Sequence, residues 1–392
     1  MNKNPITKTA VEFFAGIGLM RAGLEKAGWR IEMANDIDPT KQKFYQNHFV
    51  GSEGHFILDD IHQLSVSQIP DCSLATASFP CTDLSLAGRR AGLQGTQSSA
   101  FWGFIDILAS MGDRKPPLVL LENVIGFLTS HNGRDFKEAL LALNGLGYSV
   151  DAFIIDASYF VPQSRVRLFI IGKQTKIKGV PNRFKMNVKL YSPETTARPS
   201  KLRDFIYHNP EIDWDIRHDL PELPTRKKNL VDIVEKVPKS SSQWYSQERV
   251  DYLLNQTFKR HLDKINDQKE KSYYDYFTGF RRMRNKKSMA EIRFDGIAGC
   301  LRTPKGGSAR QILLEVGKGE VNVRLLNPRE CARLMGADNY KILGSANEAL
   351  FGFGDAVCVP VISWIAENYL NAEFSRIIES NELEKEEYAA TA

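Results

Sequence analysis

Over the first 175 residues, apolar positions fall into short unbroken runs separated by stretches with helical spacing. Residues 10–14 are apolar and aromatic enough for a buried strand. Ala15-Gly16-Ile17-Gly18 then turns the chain into a predicted helix over 19–27 that stops at Gly28. Further strands are predicted at 31–35, 55–58, 73–79, 117–121, 152–155 and 167–171, with helices over 101–110 and 134–146 between the later ones. This alternation predicts an α/β protein built on a doubly wound sheet. After Gly172 the pattern decays. Pro181, Pro193, Pro199, Pro210, Pro221 and Pro224 punctuate a charged region without clear periodicity, and a second, smaller domain is placed there, over 176–318. Helical spacing returns at 329–335 and 357–369. Residues 319–375 are therefore expected to rejoin 1–175 in one discontinuous domain, leaving a frayed acidic tail at 376–392.

With 392 residues, 42% of them hydrophobic, the chain suffices for one large domain plus a smaller one. No long apolar run and no N-terminal charged-then-apolar pattern is visible, so neither a membrane span nor a secretory signal is expected. The five cysteines, Cys72, Cys81, Cys300, Cys331 and Cys358, are odd in number, scattered and without Cys-x-x-Cys spacing. That argues for reduced thiols in a cytoplasm, against a disulfide framework and against a metal site. The net charge of +5 hides an asymmetry, because residues 176–310 carry 29 Lys and Arg against 17 Asp and Glu. A basic module on an acidic remainder points the middle segment at a polyanion. Its densest cluster, Arg281-Arg282-Met283-Arg284-Asn285-Lys286-Lys287, is either a solvated face or a nucleic-acid surface.

Candidate chemistry gathers at predicted strand ends, where an open α/β sheet collects its ligands. Gly16 and Gly18 either let backbone pass close to a ligand before a helix or simply form a tight turn. The dinucleotide fingerprint needs a third glycine where this chain has Arg21. Asp36, after the second strand, is placed to accept from ribose hydroxyls, and Asp60, after the third, from an exocyclic adenine amine. With no phosphate-binding lysine in view, this set suits S-adenosylmethionine better than NAD. Cys81 follows the strand at 73–79 and Pro80, whose fixed backbone angle aims the thiol; the alternative is a small buried hydrophobe.

Taken in order, the motifs resemble the cytosine-C5 DNA methyltransferase family of bacterial restriction-modification type. Phe14-Ala15-Gly16-Ile17-Gly18 is similar to that family's cofactor loop, and Asn35-Asp36-Ile37-Asp38 and Asp59-Asp60-Ile61 to its second and third motifs. Pro80-Cys81 resembles the nucleophile motif, Glu122-Asn123-Val124 the catalytic acid motif and Gln163-Ser164-Arg165-Val166-Arg167 the paired-arginine motif. Arg329-Glu330-Cys331-Ala332-Arg333-Leu334-Met335-Gly336 and Gly354-Asp355-Ala356-Val357 resemble the last two. The likeness covers about residues 10–172 and 324–370, and the segment between is variable in the family and carries target recognition.

The resemblance implies a Rossmann-like, S-adenosylmethionine-dependent methyltransferase domain with a smaller, variable target-recognition domain. It implies methyl transfer to C5 of a flipped-out cytosine in a specific double-stranded DNA sequence, through an adduct between Cys81 and C6. The other catalytic roles fall to Glu122 as proton donor to N3, Arg167 at the cytosine O2, and Arg165 at the phosphate or the catalytic loop. Expected cofactor contacts are Phe14, Ala15, Gly16, Ile17, Gly18, Asp36, Ile37, Asp60, Ile61, Pro80, Asp355, Ala356 and Val357. Ser85 lies in a glycine-bearing loop over 84–99 read as closing on the substrate, and is an expected DNA contact. Arg281, Arg282 and Arg284 are expected on phosphates, and Arg302 and Arg310, beside glycines, on guanine. The resemblance further implies a monomer on DNA in a bacterial or archaeal cytoplasm, with a cognate restriction endonuclease acting separately. Glu12 and Asp36 exchange the acids most often found at their positions, and Leu19, Ile37 and Asp355 replace a glycine, an aromatic and an asparagine. None of these removes a required group. A tRNA cytosine-C5 methyltransferase is the nearest rival, but the Cys-Phe-Thr stretch usual there is absent.

Overall fold

The computed structural model describes residues 7–80, 99–174, 195–284, 286–303 and 310–380; Cys81, Ser85 and most of the 84–99 loop lie outside them. The main sheet has seven strands: β1 (Thr9–Phe13), β2 (Arg30–Asp36), β3 (Phe56–Leu58), β4 (Leu74–Ala77), β5 (Leu118–Val124), β6 (Tyr148–Asp156) and β7 (Val166–Gln174). Their order is β3-β2-β1-β4-β5-β7-β6. The first five pair in parallel, whereas β7 runs antiparallel to both β5 and β6. β1 and β4 are buried at every position, so their apolar residues do not alternate with solvent-facing ones, and the polar Thr9, Glu12 and Thr76 are buried with them. The chain steps outward from β1 to β2 and β3, then returns to β4 on the other side of β1. That reversal opens a crevice at the carboxyl ends of β1 and β4.

The helix expected over 19–27 is α1 (Leu19–Lys26), and α2 (Pro39–His48) follows β2. The apolar pattern does not reveal α2, which buries only Phe44 and Tyr45. Its start is chemical instead. Asp38 caps it by accepting from Thr40 N at 2.8 Å, and Pro39 occupies the first turn. α3 (Ser99–Ser110) and α4 (Arg134–Gly145) supply the later crossovers.

The middle region holds α5 (Ser200–His208), α6 (Leu230–Ile233), α7 (Gln247–Asn255) and α8 (Lys259–Lys269). It also holds a second, antiparallel sheet of β8 (Asp275–Arg284), β9 (Lys287–Arg293), β10 (Ile312–Gly317) and β11 (Glu320–Leu325), in the order β11-β10-β8-β9. Val250, Leu253, Ile265, Phe277, Leu314 and Val323 give this unit its own core. The expected boundary between 318 and 319 falls inside the β10–β11 turn, because Gly317 pairs with Glu320. Residues 320–325 therefore stay with the small sheet.

α9 (Pro328–Leu334), α10 (Ala346–Asp355) and α11 (Val359–Ile365) return the chain to the main core. A Cβ on Gly23 would lie 2.5 Å from Ile362 Cβ, so a glycine there is what lets α1 touch α11. β11 is pinned to α9 by Arg324 and Glu330, both fully buried and joined by two contacts at 2.5 and 2.7 Å. Glu330 also closes the capping box with Asn327, so its buried charge is hydrogen-bonded as well as paired. Beyond α11 the helix passes through a π turn at Ala366–Leu370 and continues to residue 380 with Ile377 buried. Residues 376–380 are thus ordered helix rather than frayed tail. The sequence pattern also missed an apolar run. Ala346–Ser380 contains an 18-residue window apolar enough to cross a membrane, but 72% of it is buried inside this fold, where α11 packs on α1.

Candidate active site

Five motif segments meet at one edge of the main sheet. Phe13 ends β1, Asp36 ends β2, Glu122-Asn123-Val124 ends β5, and Phe79 and Pro80 follow β4 directly. Arg165 and Arg167 reach the same edge because β7 runs backwards; in an all-parallel sheet the start of a strand lies at the opposite end. The β5–β7 register pairs Arg167 with Val124 and Phe169 with Glu122, so Arg167 and Glu122 share a face as a diagonal pair. Arg167 Nε and Glu122 Oε1 lie 2.9 Å apart, and both side chains are largely buried. Asn123 Nδ2 donates to Phe79 O at 3.3 Å, which ties the end of β5 to the chain two residues before Cys81.

Arg165 is placed differently from its expected role at a phosphate or loop. It is 2% exposed, and its guanidinium donates to Leu301 O at 3.0 Å, Gly354 O at 3.2 Å and Ala356 O at 2.5 Å. It therefore binds three chain segments together. Gln163, which opens the same motif but carries no expected role, does similar work: Oε1 accepts from Leu301 N at 2.9 Å and Nε2 donates to Leu334 O at 2.7 Å. Cys300 accepts from Arg165 Nη1 at 3.4 Å and Arg167 Nη2 at 3.9 Å, a contact between residues more than a hundred positions apart that no local motif signals.

The glycine loop is built on positive φ at Phe14 (56°), Gly16 (57°) and Gly18 (81°). For Phe14 that conformation costs about 1–2 kcal/mol, a strain of the kind functional loops carry. The two glycines serve different ends. Among the described residues a Cβ on Gly16 would meet nothing nearer than Phe14 O at 4.0 Å, so its backbone is left uncovered by them. A Cβ on Gly18 would lie 2.4 Å from the Phe49 ring, so Gly18 makes room for an aromatic side chain. Asp36 anchors the loop, accepting from Gly16 N at 2.8 Å and from Asp38 N at 3.0 Å, and Ile37 beside it is 65% exposed. Asp60 caps a short turn through His62 N at 3.0 Å. Ile61, by contrast, packs into the core against α3, and Ala15, Ile17 and Val357 are likewise buried, so their side chains serve the interior. The Ala356 carbonyl is the one held by Arg165, and Pro80 is exposed.

Asp355 pairs with Lys41 Nζ at 3.2 Å, so a lysine is present where none was expected. Burial works against its charge, but Asp36, Asp355 and Asp38 outweigh that and hold its pKa above the ordinary lysine value. Surrounded by carboxylates, Lys41 makes no phosphate site. Arg21, at the position of the missing third glycine, stacks 4.2 Å over Phe49 and donates to Glu25 at 2.7 Å and Tyr45 Oη at 3.1 Å. A dinucleotide-binding helix needs close packing there.

Glu12, one residue before the end of β1, is buried, and one of its oxygens has no hydrogen-bond partner among the described residues. Burial pushes its carboxyl up from 4.5 to about 8, with Arg21 offsetting only part of the effect. The folded state thus keeps a proton that the unfolded chain releases near pH 4.5, so stability falls as pH rises from there to about 8 and then levels. Glu12→Gln removes that slope. Its advantage over wild type in urea unfolding should be small near pH 5 and grow to the order of a few kcal/mol above pH 8. An advantage independent of pH would show that the carboxyl is ionised throughout.

Beyond Gly279, β8 pairs with β9 alone, so 280–284 and 287–291 form a two-stranded ribbon outside the small sheet. Arg282 and Arg284 share one face with Glu291, at 4.0 and 2.8 Å, while Arg281 alternates onto the other. The three arginines are therefore not one cluster. Arg302 is exposed, but Arg310 Nη2 donates to Asn347 Oδ1 on α10 at 2.5 Å, which holds it against the main domain instead of extending it towards a base.

A family model described as C-5 cytosine-specific DNA methylase matches residues 9–371. Type II methyltransferase M.HhaI of Haemophilus parahaemolyticus is 27% identical over 362 residues, 91% of this chain and 93% of that relative. Type II methyltransferase M.DsaV of Dactylococcopsis salina is 29% identical over 363 residues, 92% of this chain and 85% of the relative. The crystal structure of S. pombe Dnmt2 methyltransferase is similar in fold, with a TM-score of 0.58 and 18% identity over 93% of this chain and 98% of that one. With the family match running through both sheets and the motif segments converging on one edge, the chain belongs to the C-5 cytosine-specific DNA methylase family.

Proposed function

We propose that the protein methylates C5 of a flipped-out cytosine in one specific duplex sequence, as the modification enzyme of a type II restriction-modification system in a bacterial cytoplasm. The observation that carries this reading is the Glu122–Arg167 pair, 2.9 Å apart, at the edge where β4 delivers Pro80 and the sequence continues into Cys81. S-adenosylmethionine, the methyl donor of this family, supplies an electrophilic methyl group when bound. The residues that fit it are Gly16, whose backbone the described residues leave uncovered, and Asp36 and the exposed Ile37 at the end of β2.

Cytosine C5 is too poor a nucleophile unaided. The Cys81 thiolate adds to C6, and Glu122 gives a proton to N3 as negative charge builds on the ring. Arg167 donates to O2, a role suited to its permanent charge and forked donors. Once C5 is methylated, loss of its proton expels the thiolate and restores the ring. Arg165 takes no part in bond making; it fixes the floor on which Arg167 stands.

The middle unit, 176–318 with its hairpin completed to 325, holds the DNA in this reading. Arg282→Ala with Arg284→Ala should reduce the steepness of log affinity against log salt by about 1.8, near 0.9 per phosphate contact, and weaken all duplexes alike. Arg302→Ala should instead erode sequence preference, by about 1–3 kcal/mol. Filter binding over a salt series reads both, and an unchanged slope in the double variant removes the ribbon from the interface. The reading as a whole is tested by bisulfite sequencing of DNA from cells expressing the protein. One cytosine of one short sequence should resist conversion throughout; no protected cytosine in DNA contradicts it.

A further inference from the structure

Four of the cysteines lie among the described residues, and they occupy different surroundings. Cys331 and Cys358 are buried in the main core, and Cys72 lies beside β4; burial pushes all three thiols up, Cys72 and Cys358 to about 12. Cys300 is different. Burial alone would raise its thiol too, but Arg165, Arg167 and Arg302 outweigh it and bring the pKa below the ordinary 9.0. Its own S–H has a partner in Leu301 O at 3.3 Å, leaving the sulfur lone pairs to the guanidinium groups at 3.4 and 3.9 Å.

The two arginines it touches are not alike. Arg165 is fixed by three carbonyls, whereas Arg167 reaches the catalytic carboxyl through Nε. Cys300 itself cannot drift, because Ala298 two residues earlier is hydrogen-bonded both ways to the chain before β7, through Pro162 O at 2.8 Å and Ser164 N at 2.9 Å. A continuous series of contacts thus runs from the Ala356 carbonyl through Arg165, Cys300 and Arg167 to Glu122. The sulfur sits where the chain leaves the small sheet after β9, so the unit assigned to DNA supplies a group to the catalytic edge.

We propose that Cys300 is a positioning residue for methyl transfer: its sulfur holds Arg167 beside the fixed Arg165 and so sets the orientation of the Glu122 carboxyl. This rests on the reading that Glu122 and Arg167 handle the cytosine. Serine at this position keeps a donor for Leu301 O and an acceptor for the guanidinium groups; alanine keeps neither.

The test is single-turnover methylation of the target duplex, with DNA affinity measured alongside. Cys300→Ala should slow the chemical step about tenfold, the worth of roughly one hydrogen bond to a charged group, with DNA affinity unchanged. Cys300→Ser should recover most of the rate. In an Arg167→Lys background Cys300→Ala should cost little more, since both changes break one contact. A wild-type rate in Cys300→Ala, or a full additional loss in the Arg167→Lys background, overturns the proposal.

A second measurement needs no methylation. Iodoacetamide labelling of Cys300, followed by peptide mass spectrometry from about pH 6 to about pH 10, reports the thiol's ionisation. The labelling midpoint should lie below that of an ordinary thiol and rise in Arg167→Gln. The same midpoint in both enzymes overturns the sulfur–arginine contact. Failure of wild type to methylate DNA defeats the proposed function while leaving this second outcome to decide the contact.

Discussion

Cys81→Ala abolishes methyl transfer to DNA while DNA and S-adenosylmethionine still bind. The change removes the one group able to make C5 nucleophilic and nothing that holds either ligand. Deleting a covalent nucleophile costs on the order of a million-fold where the remaining site is intact. Transfer of labelled methyl groups to a target duplex, with a gel-shift titration on the same preparation, separates chemistry from binding. Activity above about one per cent of wild type would mean that another group attacks C6, since loss of the sole covalent nucleophile costs far more than a hundredfold. None of the other cysteines can substitute easily. Cys72, Cys331 and Cys358 have thiols raised by burial, and Cys300 is engaged by Arg165.

Glu122→Gln carries the second largest effect. Glutamine keeps the length of the side chain and an oxygen for Arg167 Nε, now 2.9 Å from Glu122 Oε1, but has no acidic proton to give to N3. A positioned acid contributes about 10²–10⁴-fold, so the single-turnover rate should fall by that factor with DNA affinity little changed. A fall below tenfold would assign the proton to water or to another group. The geometry also explains why Arg167 should not be replaced first: its loss removes both a partner of Glu122 and the donor to O2, and the two effects cannot be read apart.

What the sequence made legible follows from how each feature is encoded. β1, β4 and β5 announce themselves because strands covered on both faces are predominantly apolar, with Glu12 in β1 and Glu122-Asn123 near the end of β5 as buried exceptions. Motif residues at their ends, such as Asp36 and Glu122, are then located by counting. The direction of β7 is not written in any local pattern. Yet it alone brings Arg167 to Glu122, and it emerges only from pairing with β5. α2 escaped because most of its residues are polar and its signals are a capping Asp38 and a leading Pro39. In the small sheet, β8 follows buried Phe277 with a run of arginines towards an exposed end, which blurs a period of two, whereas β10 is a short apolar run buried at every position. The paired-arginine motif does not distinguish Arg165 from Arg167, but burial and its carbonyl contacts make Arg165 a structural tie. Spacing alone does not tell Gly18 from Gly16, although a positive φ and the neighbouring Phe49 ring both require glycine at 18. Cys300, Gln163 and Lys41 depend on contacts between distant segments, and such contacts leave no trace in spacing.

The central claim, a covalent adduct between Cys81 and cytosine C6, is tested most directly by trapping. The enzyme is incubated with S-adenosylmethionine and a duplex whose target cytosine carries fluorine at C5, and the products are examined by denaturing gel and peptide mass spectrometry. Fluorine cannot depart as the C5 proton does, so the thiolate is not expelled and the reaction stops at the methylated adduct. The account predicts one covalent enzyme–DNA species, its DNA attached to Cys81, and none with Cys81→Ala. No covalent species with wild type, or attachment at any other residue, would contradict it.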